Sequence, residues 1–150
     1  MNRRDLLKTT LAAGTAVAVG GRRALAAPST APFRLKYAPH FGMFENHAGK
    51  DLVDQLKFGA DQGFTAWEDN GMPGRPVAEQ ERVAKEMARL GLTMGVFVAM
   101  GDFENVTFAS TKPEIRADIL AKGKAAVEIA KRVNAKWTTV VPGRYDVGLE

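Results

Sequence analysis

The sequence predicts an α/β fold built on a parallel sheet, and three observations carry that expectation. Short apolar runs of strand character alternate with longer segments of helical periodicity, in the order β-α-β-α-β-α-β. The stretches "ADQGFTAWEDNG", "ARLGLTMGVFVAMG" and "KRVNAKWTTVVPG" repeat one plan, from a helix end through a short turn into a strand that leaves at a glycine. Gly63 and Gly91 terminate their helices in the same way, 28 residues apart. Repeated βα units of this length build either a doubly wound sheet or a (β/α)8 barrel, with right-handed crossovers in both.

The first element is a targeting segment. Residues 1–26 open with Arg3 and Arg4 in a charged stretch, continue through the uncharged run from Thr9, and end at Ala24-Leu25-Ala26. A charged start, a short apolar centre and an A-x-A site make a signal peptide. Paired arginines before Leu6-Leu7-Lys8 resemble the twin-arginine export signal, which implies a periplasmic or otherwise exported protein. Thr9–Val19 is too short, and too rich in Ala and Gly, for a stable membrane anchor. Residues 27–32, rich in Pro, Ser and Thr, read as a linker, and the fold occupies 33–150.

Phe33–Pro39 reads as the first strand. Asp51–Gln62 is helical, with Leu52, Leu56, Gly59 and Ala60 on one face, and Phe64–Glu68 is the second strand. Pro76–Leu90 is the second helix, with Val83, Met87 and Leu90 inward and Pro76 in its first turn. Leu92–Met100 is an apolar third strand, followed by a loop over Gly101–Lys112. Thr111-Lys112-Pro113-Glu114 has capping-box spacing, with Pro at the second helical position. The helix it opens carries Ile115, Ile119, Gly123, Ala126, Ala130 and Val133 on one stripe. Trp137–Val141 is expected as a strand buried on both faces, stopped by Pro142-Gly143.

Charge and cysteine content exclude several classes. The chain has 21 Lys and Arg against 17 Asp and Glu, a net charge of +4. Five of the basic residues and one acidic residue lie in 1–26, so the remainder is formally neutral. A basic nucleic-acid surface is therefore not expected. Without cysteine there is neither a disulfide nor thiolate chemistry. About 124 residues beyond the signal suffice for one domain with a real core.

The barrel is the favoured architecture. A nucleotide-binding doubly wound sheet carries a glycine-rich phosphate loop after its first strand, and "YAPHFGMFENHAGK" contains neither such motif. The strand exits carry large polar and aromatic residues instead, as barrel enzymes do at their C-terminal strand ends. On this reading the chain supplies the first four strands, β1-α1-β2-α2-β3-α3-β4 of a (β/α)8 TIM barrel, and its last strand is made to lie beside a fifth.

Three segments then become recognisable: "LKYAPHFGMFENHAGKDLVDQLKFGADQGFTAWEDNGMPG", "LTMGVFVAMGDF" and "NAKWTTVVPG". Together they resemble the N-terminal half of the hydroxypyruvate isomerase family, one of the xylose-isomerase-like TIM barrels of the sugar phosphate isomerase/epimerase superfamily. The resemblance covers Phe33 to about Arg144. It implies an isomerase that interconverts small hydroxy-keto acids or sugars by enediol proton transfer. Family members run to about twice this length, as eight strands require. Their acid–base glutamates, and the divalent-metal ligands of members that use a metal, lie on strands five to eight. The resemblance therefore places no catalytic or metal residue, and no cofactor, in this chain, which by itself is expected to be inactive.

What it does supply is one wall of a substrate pocket. Glu68 ends the second strand where a barrel side chain faces the mouth, either to move a proton or to hold a substrate hydroxyl. His40, at the exit of the first strand, is better placed than His47, and their spacing fits no zinc signature. Tyr37, Phe41 and Phe44 surround that exit as an apolar pocket wall or as caps of the core. Asp69 and Asn70 before Gly71 read as a turn. Asp102-Phe103-Glu104-Asn105 opens either a lid or a solvated acidic loop. Arg144 is set to pair with a substrate carboxylate or to stand as an exposed charge. The alternative to an isomerase half is a non-catalytic half-barrel that binds or self-associates through its open sheet edges. A DNA-repair endonuclease on the same barrel is disfavoured by two histidines and a neutral charge balance.

Overall fold

The computed structural model describes residues 33–145. The signal segment with Arg3 and Arg4, the linker and residues 146–150 lie outside the described residues. In chain order the elements are α1 (Glu45–Ala48), α2 (Leu52–Asp61), β1 (Ala66–Trp67), a 3-10 turn (Met72–Gly74), α3 (Val77–Leu90), β2 (Thr93–Met94), β3 (Val98–Asp102), α4 (Pro113–Val133) and β4 (Thr139–Pro142).

Helices and strands alternate as the α/β pattern requires, and local chemistry explains the helix ends. The Asp51 carboxylate caps α2 by accepting from the amides of Val53 at 2.8 Å and Asp54 at 3.2 Å. The turns after α2 and α3 need a left-handed residue, supplied by Gly63 at φ 93° and Gly91 at φ 69°. Two helix starts differ from expectation. Pro76 precedes α3 as its cap, and its carbonyl accepts from Glu79 and Gln80. At α4 the cap position is Lys112, Pro113 is the first helical residue, and the Thr111 hydroxyl plays no capping part. The backbone of Lys112 instead donates to the Ser110 hydroxyl, which pulls the chain out of capping-box register.

All ladder pairings among the described residues are parallel, and one isolated antiparallel bridge joins Val106 to Gly143. Ala66 lies opposite Thr93 and Trp67 opposite Met94. Val98 to Asp102 run beside Thr139 to Pro142, with an irregularity between Val98 and Met100. The expected third strand, Leu92–Met100, is one ribbon that changes partner midway. Its first part, β2, pairs with β1 and its second, β3, with β4. Hydrogen bonds from Gly95 to Trp67, from Asp69 to Val96 and from Thr139 to Phe97 bridge the change. The spatial order therefore follows chain order, and each strand is staggered relative to the last.

Two expected strands are corrected. Phe33–Pro39 forms no ladder; the first strand is a single bridge of His40 to Glu68, joined by a bond from the Glu68 amide to the Pro39 carbonyl at 2.9 Å. Proline has no donor to extend the pairing, and Phe33 turns its ring onto Phe64 and Tyr37 instead. Trp137–Val141 is not buried on both faces. The strand is Thr139–Pro142, Trp137 is 73% exposed and Val140 is 41% exposed. β4 has β3 as its one ladder partner among the described residues, while the loop at 105–108 bonds only to its end, through Pro142 and Gly143.

The core sits between the strands and their helices. Trp67 is fully buried, and its indole lies so close to Gly59 of α2 that any side chain at 59 collides with it. Leu56, Val83, Met87, Met94 and Phe97 complete the layer, and α4 adds Ala126, Ile129 and Val133. The opposite face of the sheet has no helix among the described residues. It is concave: a methyl group placed on Gly95 stands 3.6 Å from the Cβ of Ala38, two strands away. In a flat sheet that separation is roughly 9–10 Å.

Candidate functional site

The concave face carries the candidate site. Side chains alternate along a strand, so with Trp67 and Met94 turned to the helices, Ala66, Glu68, Thr93 and Gly95 turn away from them. The bridge to Glu68 puts His40 on the same face. Glu68 is half-buried, and its carboxylate has no hydrogen-bond or ion-pair partner among the described residues. His40 is exposed, with Nδ1 at 2.8 Å from the Phe41 carbonyl. A carbonyl only accepts, so Nδ1 carries a proton and donates it to Phe41. Side by side at two strand exits stand a carboxylate and an imidazole, the group types that move protons between adjacent carbons.

The other expected pocket residues are placed differently. Phe41 packs on Trp67, with ring centroids 5.3 Å apart, and lies under the Arg75 guanidinium. Its ring therefore belongs to the helix side, as does Phe44, which meets Phe58, Phe64 and Trp67. Tyr37 is exposed and touches Phe33 edge-on. Arg144 is exposed at the end of β4; its amide donates to the Asn105 carbonyl at 2.8 Å, and its side chain forms no ion pair among the described residues. His47 stacks on Phe58, away from His40. The acidic loop folds on itself. The Asp102 carboxylate accepts from the amides of Asn105 and Glu104, both at 2.8 Å, and from the Asn105 side chain. The Asn105 amide foremost, with its side chain and the Glu104 amide, lowers the Asp102 pKa.

Residues not anticipated from sequence hold the two exit loops in place. Asp69 makes the expected turn, its carbonyl accepting from the Met72 amide, and it is also buried. It accepts from the Gly71 amide and from both Nε and Nη2 of Arg75, at 2.5 and 3.2 Å. Arg75 also reaches Glu79 at 3.3 Å, and Asp69 is the main cause of its raised pKa. Two buried glutamines act as pins. Gln55 of α2 accepts from the Gly42 amide and donates to the Gly49 carbonyl, bracing the loop after His40. Gln80 of α3 donates to the carbonyls of Met72 and Arg75, bracing the loop after Glu68, and accepts from Arg132 of α4 at 2.5 Å. The available signal was a glutamine inside each helix's apolar stripe, where only a satisfied polar group is tolerated.

Among the described residues no three His, Asp or Glu side chains gather into a metal-holding group. His40 and Glu68 offer two donors where a divalent cation needs at least four ligands, so these residues alone do not fit a metal site. No helix among the described residues is long and apolar enough to cross a membrane. A family model described as the TAT (twin-arginine translocation) pathway signal sequence matches residues 1–20. A search of curated proteins found no match to the chain. With Arg3 and Arg4 inside the matched segment, the protein is one that the twin-arginine pathway exports, typically to the periplasm.

Proposed function

We propose that residues 33–145 are the first half of a (β/α)8 barrel related to the hydroxypyruvate isomerase family. On this reading the helix-free face forms one wall of a pocket for small hydroxy-keto acids or sugars. The observation that carries the proposal is the pairing of His40 and Glu68 on a concave, small-residue floor at two adjacent strand exits. Chain-order pairing of parallel strands supports the barrel, because a doubly wound sheet reverses its strand order and this one has no reversal.

The reaction of such a pocket removes the proton from a hydroxyl-bearing carbon and returns it to the neighbouring carbonyl carbon through an enediol. In this reading the Glu68 carboxylate and the Nε2 atom of His40 accept from substrate hydroxyls, carboxylates on later strands carry the carbon-bound proton, and the hydroxyl proton passes to the former carbonyl oxygen. Purified 150-residue chain incubated with hydroxypyruvate is therefore expected to give no turnover, while a continuous eight-stranded parent gives it. Measurable conversion by the 150-residue chain overturns the division of labour. A second reading, self-association through the sheet edge, is favoured by the exposure of Trp137, Val140 and Tyr145 around β4. Light scattering behind size-exclusion chromatography separates the two, since a dimer supports the second and a monomer removes it.

A further inference from the structure

The concave face holds one more charged group, and it was not anticipated from sequence. Lys36 lies two alternations before His40, and its Nζ donates to the Thr93 hydroxyl at 3.4 Å. Thr93 is the ladder partner of Ala66, and the first strand bonds to the strand of Ala66. Lys36 lies in the extended segment before the His40 bridge, and its reach to Thr93, whose side chain turns from the helices, brings it toward the helix-free face. On that face a β-carbon placed on Gly95 stands 3.6 Å from that of Ala38. The ammonium stands one side-chain repeat, about 7 Å, behind the His40 and Glu68 layer. Lys36 forms no ion pair among the described residues, in contrast to Lys57, Lys122 and Lys131, each of which holds a carboxylate. Glu68, on the same face, is likewise unpaired among the described residues.

The concave face thus carries a cation and a carboxylate that form no salt bridge with one another among the described residues. We infer that Lys36 is an anion subsite. It takes the carboxylate or phosphate of a small polyol or hydroxycarbonyl compound whose hydroxyl-bearing carbons lie against His40 and Glu68. This inference rests on the pocket reading above and deepens it. It moves the anion-binding role from Arg144, at the far end of the strand order, to Lys36. Lys36 and Thr93 are both exposed, and a charge-assisted hydrogen bond there favours an anion over its neutral analogue by up to about tenfold.

The test uses the full chain with labelled histidine rings, followed by NMR, with His47 as the internal control. Three probes are titrated: glycerate, glycerol 3-phosphate and glycerol. At least one anion is expected to shift the His40 signals at about one-tenth the glycerol concentration without moving His47, and the stronger anion names the headgroup. K36M should bring that anion down to the glycerol level, K36R should retain the preference, and R144M should leave it unchanged. Added salt should weaken the anion and leave glycerol unaffected. Equal responses to anions and glycerol, or unchanged anion binding in K36M, overturn the Lys36 subsite while the pocket reading stands. If no probe moves His40, both fall together.

Discussion

The two tryptophans compare two halves of one sheet. Each stands in or just before a strand that follows a helix and a short turn, and each lies in one of the repeated segments. Trp67 is fully buried and Trp137 is 73% exposed. The difference lies in what surrounds them. β1 has the His40 segment on one side and β2 on the other, and α2 presents Gly59 to the indole. β4 has β3 as its one ladder partner among the described residues, with the 105–108 loop bonded only at its end. A cavity of about 230 Å³ remains between β3, β4 and the first turns of α4, lined in part by Met100, Ile115, Ile119 and Val141. That space opens to solvent between the 105–108 loop and α4, so this half of the sheet is less covered than the first. Strand character is local, whereas burial depends on neighbours.

The largest test of that contrast is a pair of truncations. Trp67→Ala is expected to cost about 3–5 kcal/mol, by lost transfer energy and an unfilled cavity against Gly59. Trp137→Ala is expected to change stability by no more than about 0.5 kcal/mol. Urea denaturation of both variants gives the comparison directly; similar losses would mean that the two halves are packed alike.

The polar framework of the first half gives the next effect. Asp69→Ala leaves the Arg75 guanidinium partly buried beside Phe41, with only Glu79 to hold it. Breaking a buried pair costs about 3–5 kcal/mol, and the remaining solvent access and Glu79 contact reduce this to about 2–3 kcal/mol. Gln55→Ala removes the partners of the Gly42 amide and the Gly49 carbonyl, for about 1–3 kcal/mol. Hydrogen exchange should show the Gln55→Ala loss concentrated in residues 42–49. Uniform loosening across α4 would contradict the pinning role.

These features separate what was legible in the sequence from what was not. Both inner helices were legible, because Leu56, Val83 and Met87 recur at helical spacing and Gly63 and Gly91 mark their ends. Glu68 and His40 were legible as strand-exit residues, and their adjacency follows from parallel pairing. The Asp69 contact was not, because Asp-Asn-Gly is ordinary turn chemistry and its partner stands six residues on, across a 3-10 turn. Lys36 was hidden by its own sequence, since only the pairing of strands one to three brings it over Thr93. The exposure of β4 was missed because an apolar, β-branched run reads the same at an edge as at a centre.

The smallest effect is a pH dependence. The Asp51 pKa is lowered below 3.8, foremost by the Arg82 guanidinium, whose two nitrogens lie 2.9 Å from its carboxylate. A lowered folded-state value means that the associated stability is complete above the unfolded value and is lost as pH falls through the folded one. Asp51→Asn keeps a capping oxygen and removes the charge. It should flatten the acid limb of the stability curve below about pH 4 by slightly lowering the neutral plateau, the two proteins converging at acid pH. Urea midpoints taken across that range give the readout, and an unaltered acid limb would remove Asp51 as its source.

The curl of the sheet toward its helix-free face underlies the proposed pocket, the proposed Lys36 subsite and the proposed barrel relationship alike. The chain has no cysteine, so a paired Ala38→Cys and Gly95→Cys variant measures that curl without background. Sulfurs form a bond when their β-carbons lie about 3.5–4.5 Å apart, and these positions are 3.6 Å apart. Mild oxidation of the folded variant is expected to give a complete intramolecular disulfide that mass spectrometry reads as the loss of two hydrogens. Two free thiols that persist under oxidation in a natively folded chain would show a flat sheet and contradict the account.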